Sequence, residues 1–353
     1  MTAGNAPSEP QPRRLLRVVM LSDGIPGHFR QSEGIVAALA RRHEIALQRL
    51  ELPARPGPLR WLLAQAARFA PRLLPLSWHL GRQARPGPAD VVISAGGRTL
   101  AANVALTRRL PGACNIFSGS PRAFGANAFS RVLLSYPAPA QKGLYVLKPT
   151  ALDPGSLPPP RAIPANGGTG MVRIALLVGG PTAVCAYDDS EWRNLLACLE
   201  KLAATPGIRL LPVTSRRTPD RWSDDLLALA KTHPAIEKVI DYRVGGTGSI
   251  TEAFSCDAML VTADSMSMIT EGVAARRPVA VLEPAGLRPS RDTATVADLE
   301  RQGRLARIPL AGVRAAQDLL TALSACRPMT ENHLERLADL LEPVLPARTE
   351  EKR

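Results

Sequence analysis

Short aliphatic runs alternate with longer amphipathic segments along both halves of the chain, and a glycine- or serine-rich turn commonly follows each run. The runs predict strands at residues 17–22, 44–50, 91–95, 115–118, 132–136, 174–178, 210–214, 239–242, 258–262 and 279–282. The segments between them predict helices that include residues 31–41, 190–204, 220–232 and 266–276. Strands alternating with helices imply right-handed βαβ units on parallel sheets. The predicted fold class is therefore α/β, with two Rossmann-like domains facing each other across a cleft.

A proline- and glycine-rich segment separates the two series of strands. Residues 151–170 hold five prolines and four glycines, a composition that favours an exposed linker over a helix or a central strand. The chain of 353 residues is long enough for two domains of about 100–200 residues each. We predict a flexible tail at 1–12, a first domain at 13–150, the linker at 151–170 and a second domain at 171–353.

The positive charge is confined to the first half. Residues 1–165 hold 21 Lys and Arg against 7 Asp and Glu, whereas residues 166–353 hold 23 against 24. A basic half beside a neutral half indicates that one lobe meets a polyanion or an anionic membrane surface.

Residues 55–85, which we call the basic segment, concentrate this charge. They contain no acidic residue. Leucines and aromatic residues alternate with six arginines, which are Arg55, Arg60, Arg68, Arg72, Arg82 and Arg85. Leucines and alanines fall at helical spacing, and Pro71 and Pro75 divide the helix in two. Such a segment can lie on an anionic bilayer, or its leucines can pack on the sheet with the arginines in solvent. Nucleic acid is a third reading, but only 4% of residues are aromatic and no nucleic-acid motif occurs, so we predict no nucleic-acid partner.

Cysteine usage and hydropathy predict a cytoplasmic protein. The five cysteines are scattered and form no C-x-x-C pair, which argues against a disulfide framework and a cysteine zinc site. No uninterrupted apolar run approaches the ~20 residues of a membrane span. The sequence predicts neither a signal peptide nor a membrane anchor.

The first predicted strand leads into a turn that holds Asp23, Gly24, Gly27 and His28. Glycines let the backbone turn tightly and approach a ligand, and an imidazole titrates near neutral pH. His28 is therefore either a candidate base or a residue that caps the following helix.

A second turn of this type, Gly96-Gly97-Arg98-Thr99, follows the strand at 91–95. Its N–H groups and side chains suit an anion or a sugar hydroxyl. The alternative is a plain connection between strand and helix.

Two loops of the second half suit a diphosphate. Gly179 and Gly180 follow one strand, and a serine-arginine turn with Ser215, Arg216 and Arg217 follows the next. Arginine pairs with phosphate oxygens through two parallel hydrogen bonds. The alternative is a pair of solvated surface arginines.

The sharpest feature is the sequence from Asp264 to Glu271. It places Ser265 and Ser267 at a helix start, where free N–H groups and the helix dipole favour a phosphate. Glu271 follows one to two turns later and can accept two vicinal ribose hydroxyls. The alternative is an ordinary N-cap at Asp264 or Ser265 with a buried or paired Glu271.

Other sites are not predicted. The loop at 245–248 fails the G-x-G-x-x-G pattern at Thr251, which argues against NAD. The Walker loop and the H-E-x-x-H pattern are both absent from the sequence. We expect no cofactor and no metal.

Taken in order, these loops resemble the mitochondrial-fission ELM family, whose bacterial members look like glycosyltransferases of the GT-B fold. The matching motifs are Asp23-Gly24-x-Pro26-Gly27-His28-x-x-Gln31, Ser94-Ala95-Gly96-x-Arg98-Thr99, Gly179-Gly180-Pro181, Ser215-Arg216-Arg217-Thr218-Pro219 and Thr262-Ala263-Asp264-Ser265-x-Ser267-Met268-x-x-Glu271. The resemblance implies a nucleotide-sugar donor in the second domain and an acceptor in the first. Ser265 and Ser267 would contact the diphosphate, Glu271 the ribose, and His28 would face the cleft from the acceptor side.

The expected function is a metal-independent transfer of sugar from a nucleotide diphosphate to an acceptor, with a lipid-linked glycan at the inner membrane face as one candidate. His28 or Asp23 would remove the acceptor proton. Two alternatives remain open: a nucleotide-sugar epimerase that uses the same cleft, and a catalytically silent GT-B-like scaffold at a membrane.

Overall fold

Two parallel sheets form the molecule. The computed structural model describes residues 13–82, 84–163, 170–245 and 248–347. The first sheet has the strand order β2-β1-β3-β4-β5-β6, and its strands are β1 Leu15–Ser22, β2 Glu44–Glu51, β3 Val91–Ala95, β4 Cys114–Ser118, β5 Arg131–Leu134 and β6 Leu144–Tyr145. All pairs in this sheet are parallel. The helices between its strands are α1 Pro26–Leu39, α2 Gly57–Phe69, α3 Leu76–Leu80 and α4 Leu100–Thr107.

The second sheet has the order β13-β11-β10-β7-β9 and is also parallel. Its strands are β7 Val172–Leu177, β9 Ile208–Val213, β10 Ala258–Thr262, β11 Val279–Glu283 and β13 Ala306–Pro309. A short antiparallel pair joins β8 Cys185–Ala186 to β12 Gly286–Leu287. The remaining helices are α5 Asp189–Ala203, α6 Asp220–Thr232, α7 Ile250–Phe254, α8 Met266–Ala274, α9 Arg291–Arg301, α10 Ala316–Ala325 and α11 His333–Leu341.

Each sheet is covered by apolar side chains on both faces. Along β7, Ile174 and Leu176 belong to one buried cluster, and Ala175 and Leu177 belong to the cluster on the opposite face. Strands buried on both sides appear in sequence as continuous aliphatic runs, which is why these strands were recognisable. The predicted fold class, two Rossmann-like sheets built from βαβ units, is confirmed. The domain boundaries stay a prediction, and the predicted tail at 1–12 lies outside the described residues.

The predicted strand at residues 239–242 is wrong. Isolated β-bridges join Leu210 to Ile236 and Val213 to Ile240. The two bridges are three residues apart on β9 but four residues apart on the neighbouring segment, so the two cannot pair in a regular register. Pro212 lies inside this stretch and has no N–H to donate to a ladder. The segment therefore runs beside β9 without forming a regular strand.

The basic segment forms two helices, as the two prolines predict. Helix α2 ends at Phe69, before Pro71, and α3 begins after Pro75. Only Leu63 and Ala67 of α2 are buried. The alternative in which the apolar side chains pack on the sheet therefore holds for one narrow face of α2.

Helix α11 packs on the first lobe, although the sequence assigns it to the second domain. Leu334, Leu337 and Leu341 belong to the same buried cluster as Leu16 and Ile35. The chain therefore returns to its first lobe after completing the second sheet.

We expect Leu341→Ala to lower the free energy of unfolding by about 2–5 kcal/mol, because it removes a fully buried side chain and leaves a cavity between α11 and the first sheet. Leu73→Ala is the matched control: Leu73 is 74% exposed, and its change should fall within about 0.5 kcal/mol. Denaturant unfolding measures both. Equal values for the two variants would contradict the packing of α11.

Candidate nucleotide-sugar site between the lobes

Three loops of the second lobe meet because β10, β7 and β9 are neighbours whose carboxyl ends share one edge of the sheet. Their centre is the side chain of Asp264, which is fully buried. It accepts hydrogen bonds from the Gly180 N–H at 3.0 Å, the Tyr187 hydroxyl at 2.8 Å and Nη2 of Arg217 at 2.6 Å. The sequence-predicted residues Gly180, Arg217 and Asp264 are therefore brought together.

Both glycines of this edge are required by close approach. A Cβ on Gly179 would lie 2.0 Å from Oδ2 of Asp264, and one on Gly180 would lie 1.9 Å from the Arg217 carbonyl oxygen. The Gly179 N–H also donates to Oγ1 of Thr262 at 2.7 Å. These residues fix the shape of the loops.

The serine-arginine turn closes mainly on itself. Ser215 Oγ accepts from the Arg217 N–H at 3.3 Å and lies 3.2 Å from Oγ1 of Thr218. Arg217 uses part of its guanidinium on Asp264, whereas Arg216 is exposed and has no partner within the described part of the chain. Arg216 is thus the arginine of this turn that is available to a ligand.

Helix α8 begins without a side-chain cap. Ser265 occupies the N-cap position, as the N-cap alternative expects, but its side chain makes no hydrogen bond to the first turn, and Asp264 is engaged elsewhere. The other part of that alternative, a buried Glu271, agrees with the structure. The first-turn N–H groups therefore lack a side-chain acceptor, a condition that suits an anion. Ser265 itself is buried, and Ser267 is partly exposed.

Lys148 reaches this helix start from the segment after β6. Its Nζ donates to Oγ of Ser267 at 2.9 Å. Burial lowers the pKa of Lys148, against the opposing effects of Asp292 and Glu271. Lys148 could not be predicted as part of the site because it lies just before the predicted linker, far from the Ser267 motif in sequence.

Glu271 lies at the contact between the lobes. Its Oε1 is 3.7 Å from Nη1 of Arg30 on α1, and its Oε2 is buried with no hydrogen-bond partner among the described residues. Burial raises the pKa of Glu271, while Arg30 and Lys148 oppose the rise. Arg30 is a second residue of the site that the sequence did not indicate, since no motif links it to a residue on the other lobe.

A cleft of about 430 Å³ opens beside Glu271. It is lined by Arg30 and Glu33 of α1, residues 150–153, and Ile250, Thr251, Phe254 and Glu271 of the second lobe. Small-molecule sites commonly have about 300–1,000 Å³. The cleft therefore has a suitable size for part of a nucleotide and is bounded by both lobes.

His28 forms a pair with Asp23 on the first lobe. Its Nδ1 lies 2.9 Å from Oδ2 of Asp23, whose side chain is 3% exposed, and Ile25, not His28, occupies the N-cap of α1. A carboxylate that accepts from Nδ1 would place the free lone pair on Nε2, the arrangement of a general base. The helix-capping alternative for His28 is therefore wrong.

The other first-lobe candidates divide into two groups. The Gly24 backbone has φ +74°, and Gly96, with φ +83°, lies against the His28 ring, where a Cβ would be 2.1 Å from Nδ1. Gln31 donates to the Gly27 carbonyl and accepts from Ser118, and the buried Thr99 hydroxyl closes its own turn. Arg98 is exposed. The glycines and polar side chains thus shape the turns, while Arg98 is left free for solvent or a ligand.

The predicted loop at 245–248 includes residues 246 and 247, which lie outside the described residues. Residues 164–169 of the predicted linker lie outside them as well.

Comparison with known proteins gives a family and a fold. Residues 149–335 match the family model described as mitochondrial fission ELM1. Comparison with curated protein sequences gives no match.

Solved structures similar to the chain include MurG from Acinetobacter baumannii, with a TM-score of 0.52 and 16% identity over 93% of this chain and 99% of that one. A UDP-GlcNAc 2-epimerase from Neisseria meningitidis, solved bound to UDP-GlcNAc, has a TM-score of 0.52 and 10% identity over 94% and 99%. The glycosyltransferase SnogD from Streptomyces nogalater has a TM-score of 0.50 and 13% identity over 94% and 95%. These likenesses confirm a GT-B fold with two Rossmann-like domains.

The raised pKa of Glu271 predicts a pH-dependent stability change. Because the folded chain keeps this proton to a higher pH, stability falls as pH rises from about 4.3, the ordinary pKa of glutamate, through the folded pKa. Glu271→Gln should therefore be more stable than the wild type at neutral pH, and the difference should shrink towards pH 4.

Denaturant unfolding at a series of pH values measures this difference. Glu252→Gln is the control, because the hydrogen bond from Lys238 lowers the pKa of Glu252. That variant should show no gain at neutral pH. A Glu271→Gln variant less stable than the wild type at neutral pH would contradict the assignment.

Proposed function

The chain belongs to the mitochondrial fission ELM1 family, and from that premise we propose that it transfers a sugar from a nucleotide diphosphate donor to an acceptor. The observation that carries the proposal is the buried, unpartnered Oε2 of Glu271 beside the interlobe cleft. A buried oxygen without a partner is costly, and the hydroxyls of a ribose would satisfy it.

The diphosphate is assigned to the start of α8. Its uncapped first turn offers N–H groups, Lys148 supplies positive charge at Ser267, and Arg216 follows the neighbouring strand β9 in the turn whose Arg217 contacts Asp264. Ser267 already accepts a hydrogen bond from Lys148, so its hydroxyl proton is free to point at a phosphate oxygen. These groups would stabilise the negative charge that develops on the leaving diphosphate.

The acceptor is assigned to the first lobe, beside the pair of His28 and Asp23. In the inverting form of the reaction, Nε2 of His28 takes the proton of the acceptor hydroxyl while that oxygen bonds to the anomeric carbon. The bond from the anomeric carbon to the diphosphate breaks, and its electron pair leaves with the diphosphate. Asp23 orients the ring and stabilises the imidazolium.

The basic segment is proposed to hold the protein on an anionic membrane at the inner face. Large apolar side chains on its surface are exposed by 45–75%: Trp61, Leu62, Phe69, Leu73 and Trp78. Arginines lie between them, and each contributes about 1 kcal/mol near an anionic bilayer. No described helix combines the length and the hydropathy needed to cross a membrane. Contact through the surface of α2 and α3 is the mode that these residues support.

We expect the wild type to bind UDP or GDP in calorimetry and Glu271→Ala to weaken that binding by about tenfold or more, since the ribose hydroxyls lose a charged acceptor. The control is Glu335→Ala, which removes a carboxylate of α11 that does not line the cleft. Binding unchanged by Glu271→Ala would contradict the donor site. If no nucleotide binds while vesicles do, the scaffold alternative is favoured.

A triple change of Arg60, Arg68 and Arg72 to Glu should abolish most sedimentation with anionic vesicles, because it reverses three charges on the proposed contact surface. The control changes Arg193, Arg314 and Arg327 to Glu, which alters the net charge equally on exposed residues of the second lobe. Equal loss in both variants would show a net-charge effect only and would contradict the assigned surface.

A further inference from the structure

A second cavity, of about 550 Å³, lies within the first lobe. It is bounded by α2, the turns after β1 and β3, and residues 122–124. We call it the arginine cavity because five arginines line it: Arg55, Arg60, Arg68, Arg98 and Arg122. It is separate from the interlobe cleft beside Glu271, with which it shares no lining residue.

The cavity carries a large uncompensated positive charge. Among the described residues that line it, Asp23 is the single carboxylate, and that carboxylate is held by His28. None of the five arginines forms an ion pair within the described ranges, and Nε of Arg55 is buried without a hydrogen-bond partner. Converging guanidinium groups of this kind suit an oxyanion with several oxygens, such as a phosphate.

His79 provides an independent indication of a ligand. It lines the cavity and is 4% exposed, yet both of its ring nitrogens are buried and unpartnered. Burial, with a smaller effect of Arg109, lowers its pKa to about 4, so the ring is neutral and offers one donor and one acceptor. Buried polar atoms are nearly always satisfied, and a polar head in the cavity would satisfy these.

Arg122 is held in a strained conformation at the same site. Its φ is +51°, which is uncommon for a residue with a Cβ. Its guanidinium lies over Gly97, where a Cβ would be 2.5 Å from the guanidinium carbon. The backbone strain and the glycine together place this cation beside the turn that carries Arg98.

One wall of the cavity is apolar and continues to the protein surface. Leu63, Leu100 and Phe124 line it together with Trp61, and Trp61 is 65% exposed on α2. Trp61 also belongs to the exposed apolar side chains of the basic segment described above. The cavity therefore joins a cationic interior to the surface proposed to contact a membrane.

We propose that the arginine cavity binds the phosphate head of a lipid acceptor, with the apolar part of that lipid leaving past Trp61. This inference rests on the proposed function, in which the first lobe holds the acceptor. Asp23 lines the cavity and its partner His28 lies against Gly96, so a bound head group is delivered next to the general base. Arg55, Arg98, Arg122 and His79 bind the phosphate oxygens.

Calorimetry with dihexanoyl phosphatidic acid below its critical micelle concentration tests the proposal, because this probe has a phosphate head and forms no bilayer. We expect binding to the wild type and a loss on the order of tenfold to a hundredfold in the double variant Arg98→Gln with Arg122→Gln. The matched control is Arg13→Gln with Arg108→Gln, which removes two exposed charges of the same lobe outside the cavity and outside the basic segment. The control should bind like the wild type.

Two other titrations identify the source of the phosphate. Dihexanoyl phosphatidylcholine, whose head is zwitterionic, should bind much more weakly than phosphatidic acid. Inorganic phosphate that binds as tightly as the lipid would overturn the lipid assignment. Equal losses in the two double variants, or no binding of phosphatidic acid to the wild type, would overturn the proposal as a whole.

A parallel UDP titration separates this inference from the donor site. The Arg98 and Arg122 double variant should keep the nucleotide affinity of the wild type, which also shows that it is folded. Glu271→Ala should lose affinity for UDP and keep the wild-type affinity for the lipid. Lipid binding without any nucleotide binding by the wild type would support the cavity and remove the donor site, and nucleotide binding without lipid binding would do the reverse.

Discussion

The arrangement of the loops in the second lobe depends on the hydrogen bonds that the carboxylate of Asp264 accepts. A charge removed from water is costly unless donors surround it, and here a backbone N–H, a phenol and a guanidinium do so. These three donors come from separate loops, so satisfying one side chain fixes the relative positions of the loops that follow β7 and β9. Helix α8 begins two residues after Asp264, so its first turn is held in place by the same contacts.

Burial displaces the pKa values of the charged groups at the interlobe cleft. Glu271 and Lys148 both have pKa values displaced by burial towards the neutral form, although each has an opposite charge nearby. Buried polar atoms of this kind fit a binding site, where a ligand would complete the missing hydrogen bonds. In the arginine cavity the neutral His79 presents the same situation with a different residue type.

Much of the fold could be predicted from the sequence because each central strand is an aliphatic run that ends in a glycine- or serine-rich turn. The loops with Gly180, Arg217 and Asp264 were predictable for the same reason: parallel strands bring their carboxyl ends to one edge. Lys148 and Arg30 were not predictable, since their partners lie on another lobe and no local pattern encodes that contact. The irregular pairing near Ile240 also escaped prediction, because it depends on how segments of unequal length align.

The return of α11 to the first lobe limits how the two halves can move. The chain crosses from the first lobe to the second after β6 and returns before α11, so two connecting segments join the lobes. A lobe joined at two points can rotate about the line between them, but it cannot rotate freely about a single connecting segment. Changes in the width of the crevice are thereby confined to one hinge axis, and the ion pair of Arg30 with Glu271 spans the gap that such a swing would open.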